Sequence, residues 1–496
     1  MMKTAFKPFL LPVIYGTIVA LLLLMPVLLC MPTYAAEDEA ECWAVIVGVS
    51  DYAEINDLEY CDDDARELSH ELSPILGEDH IKVLTNASAT KQNIEEAVTD
   101  WLALSEDTND TVLLFFSGHG GWEFICPYDS LIYYYDNDIF GDELDGWLDT
   151  LDSEKIIVIL DSCVSGTFLK EVSRNGRVIL TACSPDESAY DDSILEQGVF
   201  SYYILEAFRE FEASDTNDNS ELSIEEIFDY ARPRTTDFTQ YKDYVQHPLI
   251  RDDVSGELSL LIKVTADVGP DIAQNLNILN IAGETYSSEE LPASFIWAAG
   301  SSHDFEAFST VSGGSGTEYV FDSWHDGNAL ASRAISQGGV YTANYTTRYY
   351  LTVESEYGDP QGEGWYDSGS TTTISVTSPE GGVIRQVFTE WSGDFSAVTP
   401  SASVNMDGPK TVTASWRTDY VLLFIIVGVG GAVLIGGIVV ATLILVKRRG
   451  KQTAAPALEK RTTQPPTAIY CANCGAEIEP GDKFCTKCGK AAQGGN

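Results

Sequence analysis

Positive charge is what this chain has least of. Its 496 residues hold 29 Lys and Arg against 76 Asp and Glu, a formal net charge of −47. A polyanion of this kind repels phosphate backbones, so a phosphate-binding role is disfavoured and no nucleic acid partner is expected. Long apolar runs are also few, and only two are long enough to matter for a membrane. Apolar side chains are not scarce: 44% hydrophobic and 11% aromatic residues exclude wholesale disorder and supply sizeable cores. The length exceeds one ordinary domain. The 10 Cys are placed unevenly, and their positions divide the chain into compartments.

The first apolar run, Phe9 to Met31, stands behind Lys3 and Lys7 and ends in Pro32-Thr33-Tyr34-Ala35-Ala36 before Glu37. Residues 1–36 read as a secretory signal peptide, with an uncleaved N-terminal anchor as the alternative. The second run, 420–446, carries no charge, and about 20 such residues span a bilayer. Lys447, Arg448, Arg449 and Lys451 follow at once and mark the cytoplasmic side. Either fate of the first run puts residues 37–419 outside and the tail inside. That outer segment holds 18 basic and 72 acidic residues, a solvated surface that would retain cations.

The tail opens with a Pro-, Thr- and Ala-rich linker, 447–469. Two C-x-x-C-G units follow, Cys471 with Cys474 and Cys485 with Cys488. Four thiolates at this spacing surround one tetrahedral zinc, and each Gly lets the backbone turn about the metal. Residues 470–490 resemble a zinc ribbon. Too short for a core, it would fold on its metal and serve protein contact in the cytoplasm.

Between the two ends lies an internal repeat. Phe321 and Trp324 recur as Phe388 and Trp391, 67 residues on, and Thr342-Ala343 recurs as Thr413-Ala414, 71 on. Alternating stretches such as Leu351-Thr-Val353 predict short strands. Two small β-sandwich-like modules, 266–347 and 348–418, are expected, with their Trp residues in cores. They look like the β-rich repeats of microbial surface proteins, including internalin B-repeats. A stalk is the function expected of them.

Residues 37–265 read differently. Continuous apolar runs at 42–50, 81–85, 111–116, 155–160 and 177–181 predict strands buried on both faces. Helical patterns at 62–76, 90–104 and 198–211 separate them, so the fold class is α/β with a mostly parallel sheet flanked by helices. The third strand leads into Ser117-Gly118-His119-Gly120-Gly121 and the fourth into Asp161-Ser162-Cys163-Val164-Ser165-Gly166. Ligands of such sheets bind beyond the strand carboxyl ends. An imidazole and a thiol leaving that edge together make an activated sulfur nucleophile: His119 holds the proton and Cys163 attacks.

At these motifs the chain resembles the caspase and metacaspase clan of cysteine peptidases. Cys61-Asp-Asp-Asp64-Ala65, Pro127-Tyr-Asp129, Asp142-Glu143-Leu144 and Thr181-Ala182-Cys183 resemble further segments of metacaspases, over about 42–210. The resemblance implies Cys163 as nucleophile and His119 as general base. It implies an oxyanion hole from the N–H groups of Gly120 and Cys163, and a P1 pocket from Cys61, Asp64, Ser117 and Asp161. Two carboxylates there would select Arg or Lys. Val164 stands where metacaspases usually have His, so the legumain-like and clostripain-like branches stay open.

Beyond the last helix, Asp215, Asn217, Asn219, Glu221, Ser223 and Glu226 fall at the spacing of an EF-hand-like calcium loop, 215–226, with Ser220 in place of the turn Gly. Cys42, Cys61, Cys126 and Cys183 are free to pair as disulfides in an extracellular domain. The function expected is a membrane-anchored extracellular cysteine endopeptidase acting on a protein or peptide. The alternatives are an inert caspase-fold adhesion protein, a signalling receptor reporting to the ribbon, and a transpeptidase.

Overall fold

The computed structural model describes residues 40–272, 275–448, 469–470, 474, 476–478 and 487–488. The leader 1–36, most of the linker 447–469, and the zinc-ligand candidates Cys471 and Cys485 lie outside the described residues.

Chain order in the first domain runs β1 (Cys42–Gly48), α1 (Cys61–Leu76), β2 (Ile81–Thr85), α2 (Lys91–Glu96), β3 (Thr111–Ser117), α3 (Gly141–Leu148), β4 (Ile156–Asp161), β5 (Arg177–Thr181), α4 (Val199–Arg209), α5 (Ile224–Tyr241) and β6 (Leu249–Asp252). The strands form one sheet in the order β6-β5-β4-β3-β1-β2. All neighbours are parallel except β6, which runs antiparallel along β5. Every residue of β3 and β4 is buried, as a sheet covered on both faces requires.

Helix α1 buries Cys61, Ala65, Leu68, Leu72 and Leu76, a stripe at three- and four-residue spacing. That stripe joins Phe200 and Ile204 of α4 and Ile227 and Phe228 of α5 on one face of the sheet. Ile94, Leu102, Leu144 and Trp147 cover the other face. The helix expected over 90–104 changes pitch along its length. Lys91–Glu96 is α-helical, Ala97–Trp101 opens into a wider turn, and Leu102–Leu104 tightens.

The boundary expected between 265 and 266 falls inside a strand, β7 (Ser259–Gly269). Leu260 and Leu261 of β7 pack in the α/β core, while Val264, Ala266 and Val268 pack in the first β module. One continuous strand thus serves two cores, with no linker between them. The strand β8 (Gly339–Glu354) repeats the device. Its start pairs in parallel with β7 (Val264↔Gly339), and its end pairs in parallel with β9 (Lys410–Asp419; Leu351↔Lys410). One long strand thus has a parallel partner at its start and another at its end. Trp324 and Trp391, 0% and 1% exposed, are the centres of the two modules. Each directs its backbone N–H back across a short excursion, to Asn328 O (2.8 Å) and Ala397 O (2.7 Å).

A second compact unit holds Pro379–Val387 and the residues from Arg417 onward. Its helix α6 (Val421–Arg448) contains 24 residues, Val421–Ile444, with mean hydropathy 2.7, long and apolar enough to cross a membrane. Asp419 Oδ1 accepts the Val421 N–H at 2.8 Å, satisfying one of the free donors at the helix start. The pair Ile469↔Ile478 and Tyr470↔Glu477 forms a hairpin whose tip contains Cys474.

Candidate active site

Strand register brings the two motifs together. Gly48, Ser117 and Asp161 lie in one row at the carboxyl ends of β1, β3 and β4. The Gly118 N–H donates to Asp161 O at 3.1 Å, so His119 and Cys163 each sit two residues past a paired position. Leu58, Cys61, Ser117, Gly118, His119, Asp161, Cys163, Ala189, Tyr190, Asp191 and Gly198 line a pocket of about 370 Å³, open to solvent.

The imidazole is fixed by its surroundings. His119 Nε2 lies 2.8 Å from Asn56 O, and a carbonyl only accepts, so Nε2 carries the proton and Nδ1 is left as the basic nitrogen. The His119 N–H donates to Tyr52 Oη at 2.7 Å, and the Tyr52 ring lies 5.1 Å from the imidazole. Burial holds the Tyr52 phenol well above its ordinary range, which keeps it neutral. The half-buried Cys163 points its Sγ at Ala189 O, 3.7 Å away. No hydrogen bond joins Sγ to His119 among the described residues. Such contacts often close only when substrate is bound.

Gly120 lies hard against Ser162 and the backbone of Cys163. A Cβ on it would come within 2.6 Å of Ser162 Oγ and 3.0 Å of Cys163 O. Only glycine lets these two segments approach, and the approach brings Gly120 and Cys163 to one place.

The acidic residues expected in the pocket have unequal positions. Asp64 is 0% exposed and lies behind the lining. Its Oδ2 accepts Ser117 Oγ–H at 2.7 Å and its Oδ1 accepts Gly198 N–H at 3.0 Å. Burial first, then the charge of Asp161, pushes its carboxyl well above the usual range. Asp161, on the lining, gives Oδ2 to the N–H and Oγ–H of Ser201 at 3.0 and 2.7 Å. Burial pushes its carboxyl up to about 6 despite those donors. Cys61 lines the same wall, its thiol raised by burial and by Asp64. Gly198 separates the carboxylates: a Cβ there would meet Asp161 Oδ2 at 2.7 Å and Asp64 Oδ2 at 2.9 Å.

Sequence reasoning missed Asp191. It is an exposed residue of the pocket wall, set there by a two-residue pairing in which Gly198 faces Asp191. Its charge raises Asp161, Asp64 and Cys61. Tyr52, Asn56 and Ala189 were missed as well, and two of them act through backbone carbonyls that no residue type announces. No Lys or Arg lines the pocket.

The outer motif residues are structural. Lys91 Nζ bonds both oxygens of Glu143 at 2.8 Å and Asp138 O at 2.9 Å, while Asp129 Oδ1 accepts the Lys91 N–H at 2.9 Å. The disulfides left open for Cys42, Cys61, Cys126 and Cys183 are absent: all four are buried free thiols, as is fitting for side chains on different elements of a packed core.

In loop 215–226 the acidic and amide side chains turn back onto the loop's own backbone. Asp215 accepts the N–H groups of Asn219 and Ser220 at 3.1 and 2.9 Å, and Asn219 Oδ1 accepts Glu221 N–H at 2.8 Å. Ser220 takes φ 64°, the left-handed turn for which Gly is the usual residue. Ser223 caps α5, and Glu226 completes the capping box. Glu226 is 4% exposed, and its Oε1 already accepts Thr216 and Asn217 N–H groups at 2.9 and 3.3 Å. Among the described residues no cluster of three or more His, Cys, Asp or Glu could hold a metal ion.

A parallel sheet with thiol and imidazole at its carboxyl edge defines a cysteine-peptidase-like domain. Residues 41–257 match the family model of the caspase domain, and residues 470–491 match that of a zinc-ribbon domain. The chain thus carries a caspase-like domain and a C-terminal zinc-ribbon domain. No curated protein matches it.

Proposed function

We propose that the protein is a membrane-anchored cysteine endopeptidase that cleaves after Arg or Lys. The observation that carries this reading is one pocket. Cys163 and His119 share its walls with Asp161 and Asp191, and among the described residues no Lys or Arg lines it. In this mechanism Cys163 Sγ attacks the scissile carbonyl carbon and its proton passes to His119 Nδ1. The oxyanion forms between the N–H groups of Gly120 and Cys163. The imidazolium then protonates the leaving amine, and water, deprotonated by His119, hydrolyses the thioester.

The P1 cation would meet Asp161 and Asp191: among the described residues, neither Asp161 Oδ1 nor the Asp191 carboxylate accepts a hydrogen bond. Asp64, with both oxygens engaged, would shape the wall through Ser117 and Gly198 and carry little charge. The apolar helix 421–444 would anchor the chain, with the peptidase domain outside and the zinc ribbon in the cytoplasm. Cys471, Cys474, Cys485 and Cys488 would hold zinc, which supplies the ribbon's folding energy. The hairpin bracketing Cys474 suits such a knuckle. Calcium would bind loop 215–226 by drawing Glu226 away from its N–H donors.

A peptidyl-arginine chloromethylketone tests the site directly. The wild-type chain should be alkylated at Cys163, as read by peptide mass spectrometry. An aspartyl analogue should react at least tenfold more slowly, and His119→Ala should lose most of the rate. Equal labelling by both reagents would remove the basic-P1 reading. Labelling at another cysteine would remove Cys163 as nucleophile.

A further inference from the structure

The segment Cys183–Asp192 builds one wall of the pocket through Ala189, Tyr190 and Asp191. It also touches the nucleophile's neighbours. Glu187 O accepts the N–H of Val164 at 2.9 Å, and Val164 itself holds a left-handed φ of 61°. A surface segment of this kind drifts unless something ties it down.

Residues 242–247, which leave the end of α5, tie it at four points. Lys242 Nζ lies 2.7 Å from Asp192 Oδ2. The rings of Tyr244 and Tyr190 stack at 4.4 Å and 11°. His247 brings its N–H and Nδ1 to the two oxygens of Glu187 at 2.8 and 2.6 Å. Between these lies Gln246, 1% exposed. Its Oε1 accepts the Tyr190 N–H at 3.2 Å and its Nε2 donates to Ala182 O at 3.1 Å. Thr236 of α5 in turn donates to Gln246 O at 3.2 Å, which fixes the strap to the helix. Tyr244 and His247 are exposed, so water competes for their contacts. Gln246 is buried, and one carboxamide satisfies an acceptor at one end of the wall and a donor at the other.

We propose that Gln246 is a positioning residue for the pocket: its carboxamide clamps both ends of 182–190, so that Ala189, Tyr190 and Asp191 meet the substrate's P1 side chain as one wall. The proposal rests on the reading of this pocket as the one that receives a basic P1 residue. A buried Gln that only stabilised the fold would act on everything at once. A positioning Gln acts on substrate binding and on this wall.

The test uses the full-length chain in detergent, comparing wild type with Gln246→Met and Gln246→Glu. Met keeps the length and loses both bonds. Glu keeps the acceptor for Tyr190 and loses the donor to Ala182. Removing two buried hydrogen bonds should raise KM for a P1-Arg peptide roughly tenfold in Gln246→Met, with kcat within about threefold. Gln246→Glu should fall between. Alkylation of Cys163 by iodoacetamide, which needs no pocket, should keep its rate. Amide exchange should quicken across 184–191 and stay slow in the central strands.

Wild-type KM in Gln246→Met, or wild-type exchange across 184–191, overturns the proposal. So does a parallel loss of kcat, alkylation and strand protection, which would mark a structural role alone. Failure of the parent reading looks different: the wild type itself would show no preference for Arg or Lys. The exchange comparison would still decide whether Gln246 holds this wall.

Discussion

Asp161 is buried where a charge is costly, yet it lies on the lining of the pocket proposed to take a P1 cation. Its folded pKa of about 6 lies above the ordinary 3.8. A raised carboxyl favours the protonated folded state. Its contribution to stability is present below pH ~4 and is lost as pH rises through 6, about 3 kcal/mol in all. Binding of a P1 cation needs the opposite, ionised form. KM for Arg substrates should therefore climb as pH falls below about 6. Asp161→Asn should abolish that limb and lower kcat/KM for Arg by about 2–5 kcal/mol of transition-state binding. At pH 7.5 the variant should melt no lower than wild type, since a buried charge has been removed. A clear fall in melting temperature would mean that Asp161 serves the fold. His119 and Cys163 stood out as candidates because Gly and Ser flank them at the ends of buried apolar runs, whereas Ser117 and Asp161 were expected in the pocket only through the resemblance to metacaspases. Asp191 was not, because a two-residue pairing with Gly198 brings it to the wall. Asp64 was expected in the pocket by the same resemblance, but the structure buries it behind the lining, with two hydrogen bonds that the sequence does not announce.

Elements are where the sequence reading meets its limits. The parallel sheet could be read from five apolar runs, and the β repeat from Phe and Trp spacing. The sharing of β7 and β8 between neighbouring cores could not, because a strand that changes partners keeps the same alternation of side chains throughout. Helix α5 joins loop 215–226 at one end to the strap 242–247 at the other. Calcium in that loop would thus brace the base of the helix that carries the strap. Binding to the folded form alone would add about 2.7 kcal/mol at a hundredfold excess over Kd. Melting temperature should rise with calcium and fall back with chelator, and Asp215→Ala should blunt the rise. Magnesium, which demands tighter octahedral geometry, should substitute poorly. An unchanged melting curve would leave 215–226 as a capping turn held by Glu226.

The whole molecule places a caspase domain and two β modules, built without linkers between them, in a chain that also carries an apolar helix and a zinc ribbon. Shared strands join the modules to the caspase domain, and bending between them would break the β7 or β8 ladders. The acidity of 37–419 suits a solvated surface and is compatible with the basic P1 residue proposed for the pocket. All of this turns on whether the pocket that contains Cys163 reads a positive P1 side chain. The most direct measurement is a peptide library randomised at P1, incubated with the full-length protein in detergent, with Cys163→Ala alongside. Cleavage confined to Arg and Lys, and absent from Cys163→Ala, is the predicted result. Cleavage after Asp or Asn, or the same cleavage by Cys163→Ala, would contradict it.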